Sequence, residues 1–247
     1  MKTKAIILCA GRGGRLLPLT KNTPKCLLDF GGRTILEWCL GNLGASGIRE
    51  AVVVTGFKSE LIEELVRARG LDGVSFVHNR DFESTNTAYS LHLALGAMDA
   101  DFVLVNGDVL YDRAILEDLL GNPAENCVTV DSGGALDREG VKVLAEDGRI
   151  KKINKEIDPR LSQGEAIGLN KIHRSLIPEL ARIFDGLEAR GEFHHFFEKG
   201  IERICEEGDG QGWHFGLSLI HGRPWVEIDT LKDLEYARRE VFPKICR

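Results

Sequence analysis

The sequence contains no Cys-x-x-Cys pair, no apolar run approaching the length of a membrane span, no internal repeat and no surplus of positive charge. Each absence removes a class of function. The six cysteines (Cys9, Cys26, Cys39, Cys127, Cys205 and Cys246) are scattered, most of them in apolar-periodic segments. They read as reduced, buried thiols rather than a zinc site or a disulfide framework. A net charge of −6 removes the general affinity for nucleic acid or anionic membrane that a basic chain would have. The opening "MKTKAIILCAGRGG" fits a secretory leader poorly, because its apolar stretch is short and runs into glycine and arginine. These features predict a cytoplasmic protein with no membrane insertion and no nucleic-acid partner, and they leave homo-oligomerisation open. A polyanionic ligand would have to be held by cations gathered locally, or by metal ions.

What is present is an alternation of strand-like and helix-like segments. "KAIIL", "AVVVTG", "VSFVH" and "DFVLVNGD" are short β-branched runs. Between them lie helical patterns at Thr34–Ala45, from Ser59, and across "TAYSLHLALGAM". Such alternation predicts βαβ units and an α/β fold with a Rossmann-like, mixed but mostly parallel sheet. Ligands of such sheets bind beyond the carboxyl ends of strands, which here carry the glycine cluster after Leu8, "TGF" after Val54 and "NGD" after Val105.

The second half reads as strands and hairpins ("NCVTVDS", "VKVLAEDGRIKKINKEI", "GEAIGLNKI") with a turn at "EDGR". Helices are predicted at Ser175–Ala189 and Phe193–Glu207, then strands at "HFGLSLIHG" and "WVEID", and a closing helix at Leu231–Glu240. The glycine-rich "EEGDGQGWH" between Glu206 and His214 reads as a loop with freedom to move. One domain, 1–247, is predicted. Its nucleotide-binding core spans roughly 1–131 and 213–247, with a smaller substrate-facing insertion at roughly 132–212.

The glycine cluster "AGRGGRL" follows a buried strand and is joined by Arg15 and Lys25. Glycines let a ligand approach the backbone, and free N–H groups at a following helix favour anions. The cluster therefore reads as a phosphate-binding loop. It is not a dinucleotide fingerprint, since Leu16 occupies the third glycine position, and no Gly-Lys-Ser/Thr ending makes it a Walker loop.

The whole stretch "AIILCAGRGGRLLPLTKNTPKCLLDFGGRTILEW" resembles the amino terminus of the nucleotidyltransferases (pyrophosphorylases) that activate sugar 1-phosphates and phospho-alcohols. "NRDFESTNTAYSL", "NGDVLYD", "GEAIGLNKI" and "WVEIDTLKDLEYAR" extend the resemblance along nearly the whole chain, most closely to the branch of bacterial choline-phosphate cytidylyltransferases. One departure is Gly14, where many relatives carry serine or threonine.

The resemblance implies a GT-A-like nucleotidyltransferase fold and a magnesium-dependent reaction between CTP and a small phosphorylated alcohol. Phosphocholine is the nominal acceptor, with 2-aminoethylphosphonate and inositol 1-phosphate as relatives. A sugar-1-phosphate uridylyl- or guanylyltransferase is the alternative. A non-catalytic nucleotide-binding regulator is a remoter one, which would be expected to have lost part of its charged set. The implied nucleophile is already anionic, so catalysis reduces to positioning and charge neutralisation. Arg15 and Lys25 take that role. Ala10, Gly11, Gly13, Gly14, Gly56, Asn86 and Asp108 are expected at the nucleotide.

The expected metal ligands are Asp108, which ends a buried strand, and Glu227 and Asp229, two apart in "WVEID" and so on one face if the strand continues. Asp229 is also placed to cap the helix that follows. Tyr89, Lys155, Glu165 and Glu198 are expected around the acceptor, with Phe196, Phe197, Trp213 and Trp225 available as aromatic faces for a cationic head. Gly168 falls in the same segment as Glu165. His194 and His195 lack a third strong ligand nearby and read as helix-surface histidines.

Overall fold

The computed structural model describes residues 2–134, 136, 139–208 and 212–246. The strands, in chain order, are β1 (Lys4–Cys9), β2 (Asp29–Phe30), β3 (Arg33–Thr34), β4 (Ala51–Thr55), β5 (Val74–His78), β6 (Phe102–Asn106), β7 (Val109–Tyr111), β8 (Cys127–Asp131), β9 (Lys142–Glu146), β10 (Arg149–Asn154), β11 (Gly164–Ile172), β12 (Gly216–Leu219) and β13 (Trp225–Glu227). The helices are α1 (Ile35–Ala45), α2 (Ser59–Ala68), α3 (Thr87–Leu95), α4 (Arg113–Gly121), α5 (Ile177–Ala189), α6 (Glu198–Glu207) and α7 (Leu231–Tyr236). A π-helical turn at Ala237–Val241 joins α7 to α8 (Phe242–Ile245).

Nine strands form one sheet in the order β5-β4-β1-β6-β11-β8-β12-β10-β9, and β11 also pairs with β9. The sheet is mixed but mostly parallel: β5, β4, β1, β6, β8, β12 and β9 run one way, and β11 and β10 the other. Side chains of β1 alternate between two cores. Ile6 and Leu8 join one face, while Ala5, Ile7 and Cys9 join the other. A strand covered on both faces reads as a continuous apolar run, which is why "KAIILC" carries no polar alternation.

The chain leaves β1 toward β4 and β5, then returns to β6 on the opposite side of β1. That reversal opens a crevice between the carboxyl ends of β1 and β6. The glycine loop and Asn106-Gly107-Asp108 border it, and the amide of Gly107 donates to the carbonyl of Leu8 at 3.0 Å.

The local signals set several boundaries. Thr34 and Glu37 form a reciprocal capping box at the start of α1. The β9–β10 hairpin turns at Asp147 (φ 50°) and Gly148 (φ 75°), the left-handed pair of a type I′ turn.

The second half departs from expectation. Strand β11, from the segment 132–212, lies in the middle of the sheet, between β6 and β8. The predicted helix at 193–207 begins only at Glu198. The preceding residues are held in irregular backbone by the start of α3. Asn86 N donates to Phe193 O, Ala88 N donates to His195 O, and Phe197 N donates to Thr87 Oγ1. His194 and His195 therefore do not sit on a helix. The closing helix is broken by the π-helical turn. The stretch from Glu206 to His214 lies partly outside the described residues. No helix among the described residues is long and apolar enough to cross a membrane.

Candidate active site

A cleft of about 950 Å³ opens over the crevice between β1 and β6. Its first wall is the glycine loop. Gly13 takes φ 67°, a left-handed conformation that side chains disfavour, and its carbonyl accepts from Thr20 Oγ1 at 2.7 Å. A side chain at Gly13 would also press on Thr20 and on the stem of Lys25. The loop is thus folded tightly against the lysine that follows it by twelve residues.

Lys25 opens a short 3-10 turn and is only 14% exposed at its side chain. Its Nζ lies 2.5 Å from Asp108 Oδ2 and 2.6 Å from Asp229 Oδ1. Arg15 Nη2 reaches the other oxygen of Asp229 at 2.7 Å. These residues are distant in sequence, and a small two-stranded antiparallel ribbon explains their meeting. β13 pairs antiparallel with β7, setting Glu227 opposite Val109, and Ile228 N donates to Asp108 O at 3.0 Å. This pairing thereby delivers Glu227 and Asp229 to the end of β6. Ligand oxygens of Asp108, Glu227 and Asp229 all lie within 4.8 Å of one another.

Asp229 lies beyond the end of β13 and does not cap α7. Thr230 does, in a capping box with Asp233. With a neighbouring threonine satisfying the helix amides, the carboxylate of Asp229 is left for the two cations.

The charges shift one another. Burial works against the charged form of Lys25, but Asp108 and Asp229 outweigh it and hold the ammonium well above its ordinary range. Asp229 is likewise disfavoured by burial, yet Lys25 and Arg15 pull its pKa down. Glu227 goes the other way. Burial, then the charges of Asp108 and Asp229, push it up to about 8.

The donor set fits a hard divalent cation, because three carboxylates converge and Asp108 Oδ1 is buried with no partner in the chain. Asn106 Oδ1, beside it, is buried and unpartnered too.

The opposite wall comes from the second half. β11 starts in register with both neighbours, Glu165 lying opposite Asp131 of β8 and Lys142 of β9. Lys142 is 1% exposed, and its Nζ donates to the carbonyls of Gly140 (2.9 Å) and Lys155 (3.0 Å), tying two parts of this wall together. Lys155 Nζ sits 4.5 Å above the centre of the Phe196 ring. Asp131 accepts from the indole of Trp225 at 2.8 Å and from Gly133 N, which fixes the indole.

Ala10, Gly11, Gly13, Arg15, Lys25, Asn86, Asp108, Lys155, Glu165, Glu198, Glu227 and Asp229 all line the cleft. Three predicted residues do not. Gly56 is buried beneath the loop, against the carbonyl of Ala10 and the side chain of Phe82. Gly14 lies outside the wall, with open space around its Cα. Tyr89 turns away to stack edge-on against Phe193, because α3 presents Asn86, Thr87 and Ser90 to the cleft instead. Asn86 combines two roles: its side chain caps α3 at Thr87 N (2.8 Å) and donates to His194 O. Among the aromatics, Trp213 packs on the core, while Phe196, Phe197 and Trp225 reach the cleft; Gly168 does not line it.

Sequence reasoning missed Asp131, Glu139 and Asn106. Asp131 closes the buried strand "CVTVD" just as Asp108 closes off "FVLVN", so the same signal was available. Glu139 sits in a loop with no pattern to mark it.

The model of the MobA-like NTP transferase domain matches residues 5–204. A CMP-5'-(3-aminopropyl)phosphonate synthase of Streptomyces rubellomurinus is 36% identical over 255 residues, covering 95% of this chain and 38% of the relative. A CTP:phosphoglutamine cytidylyltransferase of Campylobacter jejuni is 28% identical over 255 residues, covering 94% of this chain and 97% of the relative. The solved inositol-1-phosphate CTP transferase from T. maritima superposes with a TM-score of 0.80 at 23% identity, covering 99% of this chain and 96% of that one. The chain spans only 38% to 53% of the length of three of the curated relatives it matches, the aminopropylphosphonate synthase among them.

Proposed function

The chain belongs to the MobA-like NTP transferase domain family, and from that premise we propose that it joins CTP to a small phosphorylated alcohol or phosphonate and releases pyrophosphate. One observation carries the reading. Lys25, Arg15, Asp108, Glu227 and Asp229 meet at the switch point of the sheet, facing a glycine loop. The choice of CTP draws on the relatives named for CTP or a CMP product.

An oxygen of the acceptor's phosphate or phosphonate attacks the α-phosphorus of CTP. The bond from that phosphorus to the bridging oxygen of the β-phosphate breaks, and pyrophosphate leaves with the electron pair. The nucleophile is anionic at neutral pH, so no general base is needed; the barrier is the approach of one anion to another. Lys25 places a desolvated ammonium at the α-phosphate, and Arg15 offers a bidentate donor to the departing pyrophosphate. The glycine loop brings its backbone against the triphosphate. Asp108, Asp229 and Glu227 would hold Mg²⁺, which supplies neutralisation of the phosphate oxygens when bound. Lys155 faces the acceptor's phosphate.

The test is pyrophosphate release by the purified protein with Mg²⁺, with CTP, UTP, GTP, ATP and dTTP each offered a panel of phospho-alcohols, phosphonates and hexose 1-phosphates. Turnover confined to CTP and a phospho-alcohol or phosphonate is expected. Turnover only with a hexose 1-phosphate would overturn the acceptor class, and bound nucleotide with no release under any pairing would overturn the transfer itself.

A further inference from the structure

We infer that the acceptor carries a primary ammonium, as an ω-aminoalkyl phosphate or phosphonate, and that Glu198 receives it; this rests on the transfer reading above. Glu198 is 6% exposed, lines the cleft, and has an Oε2 with no hydrogen-bond partner in the chain. Burying a carboxylate oxygen without a donor is costly, and no ion pair is made to Glu198 among the described residues. Lys155, the nearest candidate, lies instead over Phe196 and 4.0 Å from Glu139.

The position of Glu198 is built. Phe197 before it is sunk in the core with its amide on Thr87 Oγ1, and α6 begins at Glu198 itself. Burial pushes the empty carboxyl up to about 7, so an arriving cation would draw it into its charged form.

The surroundings favour a cation over a neutral head. Asp131, Glu139, Glu165 and Glu198 line the cleft together with Lys155, and an acceptor phosphate would claim Lys155. The Phe196 ring already carries an ammonium at 4.5 Å, and Trp225 is fixed nearby by Asp131. A quaternary ammonium has no N–H and would leave Oε2 unsatisfied, whereas a primary ammonium supplies three donors. This narrows the nominal acceptor away from phosphocholine.

The experiment compares kcat/KM, with CTP and Mg²⁺, for 2-aminoethylphosphonate, phosphoethanolamine, 2-hydroxyethylphosphonate and phosphocholine, in the wild type and in Glu198→Gln. The aminated acceptors are expected to lead by about 100-fold, the scale on which a hydrogen bond to a charged group strengthens recognition. Phosphonate against phosphate then identifies the anion. Glu198→Gln should cut that lead to about tenfold or less and leave the KM for CTP unchanged. Equal or better turnover of phosphocholine or the hydroxy analogue would overturn the inference while leaving the transfer reading intact, as would an undiminished amine preference in the variant. No turnover with any acceptor would sink the transfer reading instead. Calorimetry of 2-aminoethylphosphonate against 2-hydroxyethylphosphonate then decides the head group: tighter binding of the amine supports it and equal binding overturns it.

Discussion

Replacing Lys25 by methionine keeps the stem that packs against the glycine loop and removes the charge. Its ammonium is the bridge between Asp108 and Asp229, at 2.5 and 2.6 Å. Without it, two carboxylates whose oxygens lie within 4.8 Å of each other lose their shared counter-charge. At that separation like charges repel by about 3.5 kcal/mol at an effective dielectric constant of 20. Breaking a buried pair on one side costs about 3–5 kcal/mol, so the two routes agree. For a chain of this size the loss corresponds to a fall in Tm of about 10 °C in metal-free buffer. Mg²⁺ should restore more stability to the variant than to the wild type, because it would take the place of the lost cation. Turnover with CTP should fall by about 10²–10³, the cost of removing one preorganised charge from a transition state. The assays are a thermal melt with and without Mg²⁺ and pyrophosphate release under saturating substrates. A variant with turnover within about tenfold of wild type and an unmoved Tm would refute the role given to Lys25.

Glu227 predicts a pH dependence of opposite sign to the usual carboxylate. Its folded pKa of about 8 lies above the ordinary value of 4.5, so below about 4.5 both folded and unfolded chains hold the proton and nothing is lost. Between about 4.5 and 8 the unfolded chain releases it first, so metal-free stability contributed by this group falls as pH rises and levels off above that window. Glu227→Gln should flatten that decline in urea melts and weaken Mg²⁺ binding by calorimetry; an unchanged pH profile would remove Glu227 as its source. Asn86→Ala should cost about 1 kcal/mol of stability through the lost cap of α3. It should also raise hydrogen exchange in residues 193–197, whose backbone the start of α3 holds. Protection unchanged there would show that the segment is held by other contacts.

The parallel half of the sheet was legible because each strand is a short β-branched run and helices α1 and α3 carry their own start signals, Thr34 with Glu37 and Asn86. The place of β11 was not. Its residues show that it is a strand, but its insertion between β6 and β8 depends on pairings far apart in sequence. The site was legible unevenly for the same reason. Lys25 and Arg15 stand beside the glycines that define them, whereas Asp108 and Asp229 meet only through the long-range pairing of β7 with β13, and their partnership came from family resemblance. Tyr89 was misplaced because a motif names a segment, not the direction of a side chain, and Gly56 because its small size serves close packing against the Ala10 carbonyl and Phe82 beneath the loop. The helix predicted from Phe193 failed because the apolar pattern of 193–197 serves contacts with α3 rather than a helical face.

The central claim is that this cleft forms a new phosphoanhydride rather than merely cleaving a nucleotide. It is tested most directly by following CTP, 2-aminoethylphosphonate, Mg²⁺ and the protein by phosphorus NMR. The account predicts that a coupled pair of anhydride resonances from the CMP-linked product grows in step with pyrophosphate, one for one. Appearance of CDP and orthophosphate, or CMP and pyrophosphate with the acceptor untouched, would contradict it.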